Sequence, residues 1–259
     1  CIAAGRVDRL ALAGLKEDRR AIIAGGLSIL YTLATHFGID ALLPARGALR
    51  QGVIFDLDER LNASQKANDG EDVRDSSVRE LQQRFLVDEA QALRVSQVAE
   101  QIYNKVQPDA GRDARRELQW ACALHEIGMM VSHHDHHRHS AYMLGNVDAP
   151  GFSQSQQRRL AELVLAQRGG LRKVESSLMQ QDFAWQALCL RLAIIKCHAR
   201  GPVDHNAITL RRKGSVAELS WQPGWPEDNP RTHYLLTEEA AAWQRSGTLQ
   251  LDLPRSSGY

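Results

Sequence analysis

Six of the chain's ten histidines fall in one stretch, residues 120–144, which reads WACALHEIGMMVSHHDHHRHSAYML. A histidine can ligate a metal through a neutral ring nitrogen, or carry positive charge toward an anion once protonated. His125 and Glu126 stand together near the end of an apolar helical run. Gly128 follows where glycine can release a helix through the left-handed conformation. Ser132 to His139 is too polar for a core and too rich in histidine for an ordinary loop. Three readings stay open for this stretch: a metal site, a polyanion-binding site, or a polar helix junction in which His125 pairs with Glu126 or a backbone carbonyl.

The metal reading meets a donor problem. A helical metal phosphohydrolase of the His-Asp type needs a histidine on an earlier helix, the His-Asp pair, and an aspartate on a late helix. The earlier position is Gln91, the late one is Ile194, and Glu126 stands where the pair's aspartate would be. An amide and an aliphatic side chain do not supply the charged or strongly donating ligands a divalent ion requires. No metal site is therefore expected in this chain.

The polyanion reading needs spaced cations able to make charge-assisted hydrogen bonds. The candidates are His133, His137, Arg138 and His139 in the organising stretch, then Arg158, Arg159, Arg172, Lys173, Lys196 and Arg200. Each arginine of a helix can equally be part of an ordinary solvated face. Hydrolysis would also need a carboxylate base to activate water, and usually Mg2+; no G-x-G-x-x-G phosphate loop occurs, and no catalytic residue is assigned in this chain.

Several elements must position these groups. A run over 88–106 repeats apolar residues at helical spacing behind Asp88 and Gln91, which fit a capping box. Residues 114–127 form a second long helix, and Ser153 with Gln156 caps a third. The stretch 183–198 is apolar on nearly every side and is expected to be the buried central helix. Earlier, RRAIIAGG reads as a short strand closed by Gly25-Gly26. A glycine pair between strand and helix would let backbone amides approach a phosphate, or is simply a tight turn. GALRQGVIFDL (47–57) reads as a returning strand, with Arg50 as an anion contact or a salt-bridge residue. Residues 58–77 are polar and read as a linker. Beyond about 205, AITLRRKGSVAELSW reads as a hairpin, TEEAAAWQRSG as a short helix capped by Thr237, and TLQLDL as a closing strand.

LHEIG, His133, HRHSAYML, the DAPGFS stretch and the helix QQRRLAELV together resemble the exopolyphosphatase / guanosine pentaphosphate phosphohydrolase (Ppx/GppA) family, in its C-terminal half. GLKEDRRAIIAGGLSIL (14–30) and GALRQGVIFDL resemble the end of that family's actin-like second domain. The resemblance implies a mixed α/β, mainly α chain. Residues 1–60 would end an actin-like (ribonuclease H-like) domain and 61–77 would be a linker. Residues 78–202 would be an all-helical degenerate His-Asp (HD-like) domain, and 203–259 a small α+β unit. It implies an enzyme that releases terminal orthophosphate processively from inorganic polyphosphate, or one that hydrolyses pppGpp. Its catalytic glutamate, its phosphate loops and its Mg2+ would lie in actin-like domains outside these residues, and a homodimer in the cytoplasm is implied. Two positions depart from the family pattern: Arg50-Gln51-Gly52 stands for Arg-Glu-Gly, and Gln167-Arg168 for a His-Arg pair.

Other classes are disfavoured. The net charge of +1 places any attraction for polyanions in local clusters, and aromatic residues at 6% leave no stacking strand for specific RNA recognition. A non-catalytic module that grips polyphosphate remains a separate reading. No apolar run approaches the roughly 18 residues of a membrane span. Cysteines 1, 122, 189 and 197 show no paired spacing and read as free thiols. The opening Cys1-Ile2, without methionine, is read as the start of a C-terminal piece of a longer protein.

Overall fold

The computed structural model describes residues 5–10, 13–42, 53–54, 72–204 and 206–254. The chain divides into two compact units, Cys1–Leu57 and Asp58–Tyr259.

The first unit contains a 3-10 turn at Val7–Arg9 and a twenty-residue helix α1, Glu17–His36. This corrects the expected strand and turn: RRAIIA, Gly25 and Gly26 all lie inside α1. Two glycines cost roughly 1 kcal/mol each in a helix interior, but the alanines, arginines and leucines around them favour helix. Ser28 and Thr32 back-bond to the carbonyls of Ala24 and Ser28, each at 2.9 Å. No phosphate-facing turn therefore exists at Gly25-Gly26. The true N-terminus of the helix carries Glu17 and Asp18, which would repel a phosphate. Arg50 lies outside the described residues. Of the strand expected over 47–57, only Val53 and Ile54 are described, and they are helical.

The second unit is helical, with one small sheet. Its helices are α2 (Val73–Arg84), α3 (Glu89–Val106), α4 (Arg112–Leu124), α5 (His136–Asn146), α6 (Gln154–Ala166), α7 (Gln181–Lys196) and α8 (Pro230–Ser246). Residues 72–77, assigned to the linker on polarity, open α2 instead. Their charges are bound rather than solvated. Asp72 caps the helix and meets Arg116 at 2.5 Å, while Asp75 accepts from Arg116 at 2.7 Å and from Trp120 Nε1 at 2.7 Å. Asp88 caps α3 through the Gln91 amide at 2.9 Å, but the Gln91 side chain does not reach back and is buried elsewhere. Ser153 and Gln156 form the full reciprocal capping box. Every residue of α7 from Phe183 to Ala193 is buried, making it the axis of the core.

Strands β1 (Ile208–Lys213) and β2 (Val216–Trp221) form a hairpin around Gly214-Ser215, in register Ile208 to Trp221. Strand β3 (Gln250–Asp252) returns parallel to β2 after α8. Helix α8 starts at Pro230, well before the expected Thr237, whose hydroxyl instead back-bonds to His233 at 3.0 Å. A buried ion pair fastens α8 to the core. Arg191 of α7 donates to both Glu239 oxygens at 2.5 and 2.7 Å and to the Ala166 carbonyl at 2.6 Å. Trp243 Nε1 donates to the same carboxylate at 2.6 Å. Both charged side chains are only 5% exposed.

A buried charge that loses its partner is expensive, whereas replacing both charges by apolar groups is often tolerated. Glu239→Gln is expected to lower unfolding free energy by about 3 kcal/mol or more, read from urea denaturation. The double change Arg191→Met, Glu239→Leu should recover much of that loss; equal damage in the two variants would show that the pair is not the fastening.

Candidate functional site

The His125-Glu126 pair sits where α4 has ended and a 3-10 turn, Ile127–Met130, leads toward α5. His125 is 2% exposed. Its Nδ1 pairs with the Cys122 carbonyl at 2.7 Å, and its own carbonyl accepts from Ser140 Oγ at 3.0 Å and Gln167 Nε2 at 2.8 Å. Ser140 Oγ in turn accepts from the Gly128 amide at 2.9 Å. Gly128 is not a left-handed helix terminator. It is needed because a Cβ there would overlap the backbone of His136, His139 and Ser140. His125 is thus a junction histidine, held neutral because burial pushes its pKa down.

Gln91 and Glu126, the positions weighed as metal ligands, are each held by an arginine. Arg200, itself left-handed at φ 55°, donates to Asp88 at 2.8 Å and to Glu126 at 2.6 Å. Gln91 Nε2 donates to the Cys197 carbonyl at 2.9 Å, and its oxygen accepts from Arg94 at 3.0 Å. Among the described residues no three His, Cys, Asp or Glu groups converge as donors for a metal. The donor set of these residues does not fit Mg2+.

The ten candidate cations separate into distinct groups. Arg159 faces inward, pairing with Glu117 at 2.9 Å and with Gln180 and Gln186 at 2.6 and 3.0 Å. It and Arg200 are committed to internal partners. Lys196 is half-buried near the end of α7, and burial lowers its pKa. Arg158 is exposed on α6 and back-bonds to Gln154 at 3.3 Å. Arg172 is exposed and lines a separate cleft of about 560 Å³ beside Arg245, Ser246 and Thr248 of the α8 end.

The remaining candidates gather around the N-terminus of α5 and the turn after α6. Asp135, left-handed at φ 54°, starts α5 and lies 3.8 Å from Arg138. His133 and Arg138 are exposed and His139 is half-buried. His137 is 6% exposed, and its Nδ1 is buried with no hydrogen-bond partner. Gly169 has φ +73°, and a side-chain carbon there would stand 3.6 Å from Lys173 Nζ and 4.0 Å from His137 Nε2. The missing side chain leaves a notch with two nitrogens on its wall. Lys173 Nζ is held in place by donating to the Arg168 carbonyl. Burial first, and the Lys173 charge second, hold the His137 pKa down at about 4. Burial, reinforced by Arg191 and Arg138, brings Lys173 down to about 8.

Sequence reasoning missed two groups. Arg168 is exposed, and its charge acts on both His136 and Lys173. At the Gln167-Arg168 departure from the family pattern, Gln167 holds the junction and Arg168 keeps its cation at the notch. Arg191 was passed over as part of an apolar helix. An arginine inside such a helix is itself the signal, because a buried guanidinium must have a partner.

A model of Ppx/GppA phosphatase domain III matches residues 73–240. The chain belongs to the Ppx/GppA phosphatase family. A second model, of the Ppx/GppA phosphatase family, matches residues 1–61. The notch and the junction both lie inside the domain III match. The family's chemistry is phosphate hydrolysis, so an arrangement that attracts anions has a substrate class to serve. Among the described residues no helix is long and apolar enough to cross a membrane.

His125, His136 and His137 all have pKa values lowered by burial. The unfolded chain therefore binds more protons between the unfolded value near 6.5 and the lowered folded values, so stability rises with pH across that window. The urea midpoint should fall as pH drops from about 7 to about 5, and His137→Asn should flatten the fall. An unchanged midpoint would mean that these rings are solvated.

Proposed function

We propose that this chain serves an exopolyphosphatase, which releases terminal orthophosphate processively from inorganic polyphosphate, and that these residues bind and guide the polyanion. The observation that carries the reading is the notch at Gly169, where Lys173 and His137 stand together with Arg138 and Arg168 close by. The local charge is unbalanced: Asp135 is the carboxylate whose charge acts on both Lys173 and His137, whereas Arg159, Arg191 and Arg200 are neutralised by Glu117, Glu239, and Asp88 with Glu126. A polyphosphate needs cations that are not already spent and asks for little shape discrimination.

In the same proposal the helical body is HD-like and the first unit actin-like. Catalytic residues and Mg2+ lie outside these 259 residues, and the working form is a cytoplasmic homodimer. His133 and His139 flank the notch, Arg158 and Arg172 extend the positive surface, and Lys196 adds charge at the end of α7. A domain boundary ahead of Asp72 and another near 203 belong to this reading as well.

The purified chain is to be titrated with long-chain polyphosphate and with pppGpp over a salt series, with phosphate release followed in the same tubes. Tight, salt-sensitive binding of the polymer without release is expected. Arg138→Gln and Arg168→Gln should each weaken binding several-fold and reduce the log–log salt slope by about 1. Phosphate release by the chain alone would overturn the placement of catalysis elsewhere. Binding of pppGpp in preference to polymer would move the reading to a guanosine pentaphosphate phosphohydrolase.

A further inference from the structure

We propose that Lys173 is a modification site, acylated on Nζ by small acyl phosphates drawn to the cationic notch. Its geometry separates it from the other described lysines. Lys16 and Lys105 are exposed, Lys213 is exposed and pairs with Glu218 at 2.6 Å, and Lys196 is half-buried at the end of α7. Lys173 is half-buried, its Nζ is fixed by the Arg168 carbonyl, and the absent side chain of Gly169 keeps space open in front of it.

Charged groups act on this amine from several neighbouring segments. Helix α5 and its start contribute Arg138 and Asp135, with His137 beside them; the turn after α6 contributes Arg168; α7 contributes Arg191, whose own charge is paired with Glu239 of α8. Three arginines act on it against Asp135, so the surroundings disfavour a further positive charge on Nζ and favour an incoming anion. The lysine is accordingly lowered to about 8. Near neutral pH its uncharged fraction exceeds that of an ordinary lysine by about two orders of magnitude.

The step balances without any further reagent. The neutral amine attacks the acyl carbon, an N–C bond forms, the C–O bond to phosphorus breaks, inorganic phosphate leaves with the electron pair, and the amine proton goes to solvent. The product is an uncharged amide. Acylation would remove one cation from the notch and so weaken its hold on polyanions, a consequence that rests on the function proposed above.

The whole chain is to be treated with acetyl phosphate, and separately with a neutral acetylating ester, then mapped by peptide mass spectrometry. Lys173 is expected to acetylate at least about fivefold faster than Lys16, Lys105 or Lys213. The preference should be larger with acetyl phosphate than with the ester, and Arg168→Gln should erase that difference. Uniform labelling of the four lysines would overturn the proposal. Equal preference for both reagents would overturn the part assigned to anion attraction. The readout is mass alone, so it stands apart from polyphosphate binding: failure there leaves the labelling result intact, and the reverse holds too.

Discussion

A close backbone approach at Gly128 sets the position of the groups around the histidine stretch. The backbone of the Ile127–Met130 turn packs against the first turn of α5 with no room for a Cβ at Gly128. Such contact would strand backbone polar groups, and Ser140 resolves this by accepting from Gly128 and donating to His125. Gln167 brings the end of α6 to the same carbonyl. Three segments are thereby tied at one point. His136 and His137, on the first turn of α5, are pushed into the interior, and the turn after Gln167 delivers Arg168, Gly169 and Lys173 beside them. The cationic notch is a consequence of the backbone contact.

Charge in this unit follows a sorting rule. Cations that enter the core or close a gap are given carboxylates at hydrogen-bonding distance: Arg116, Arg159, Arg191 and Arg200 each have one. Around Lys173 that rule lapses. The energetic reason matters more than the count. A buried cation with a partner stabilises or is neutral, while a half-buried cation without one lowers its own pKa and invites an anion from outside. Cations fixed inside the unit and cations left open to an outside anion are therefore told apart by their partners, and residue type or helix position does not distinguish them.

That distinction explains what could be read from the sequence. The Ser153–Gln156 capping box, the Asp88 cap, the largely apolar α7 and the hairpin are local patterns, and they hold because the deciding interactions lie within a few residues. The Gly25-Gly26 reading failed because two Ile and two Gly resembled a strand and a turn, while the helix-forming residues on either side extend over twenty positions. Residues 72–77 looked like linker because their composition is polar. The partners that fold them, Arg116 and Trp120, are more than forty residues away. Arg159 and Arg200 looked like substrate contacts for the same reason. Glu117 and Asp88 are distant in sequence, and nothing near either arginine announces them.

The junction histidine shows how a buried turn is held by hydrogen bonds and one arginine. Gln91 and His125 face the interior, Gln91 carries backbone hydrogen bonding, and Arg200 supplies the positive charge beside Glu126. A guanidinium reaching across from the end of α7 joins Asp88 and Glu126 without needing a fixed coordination number. It also remains charged at any physiological pH, so this fastening does not titrate away. The same principle of close packing governs the turn after α6, where any side chain at Gly169 would stand against Lys173 Nζ and His137 Nε2.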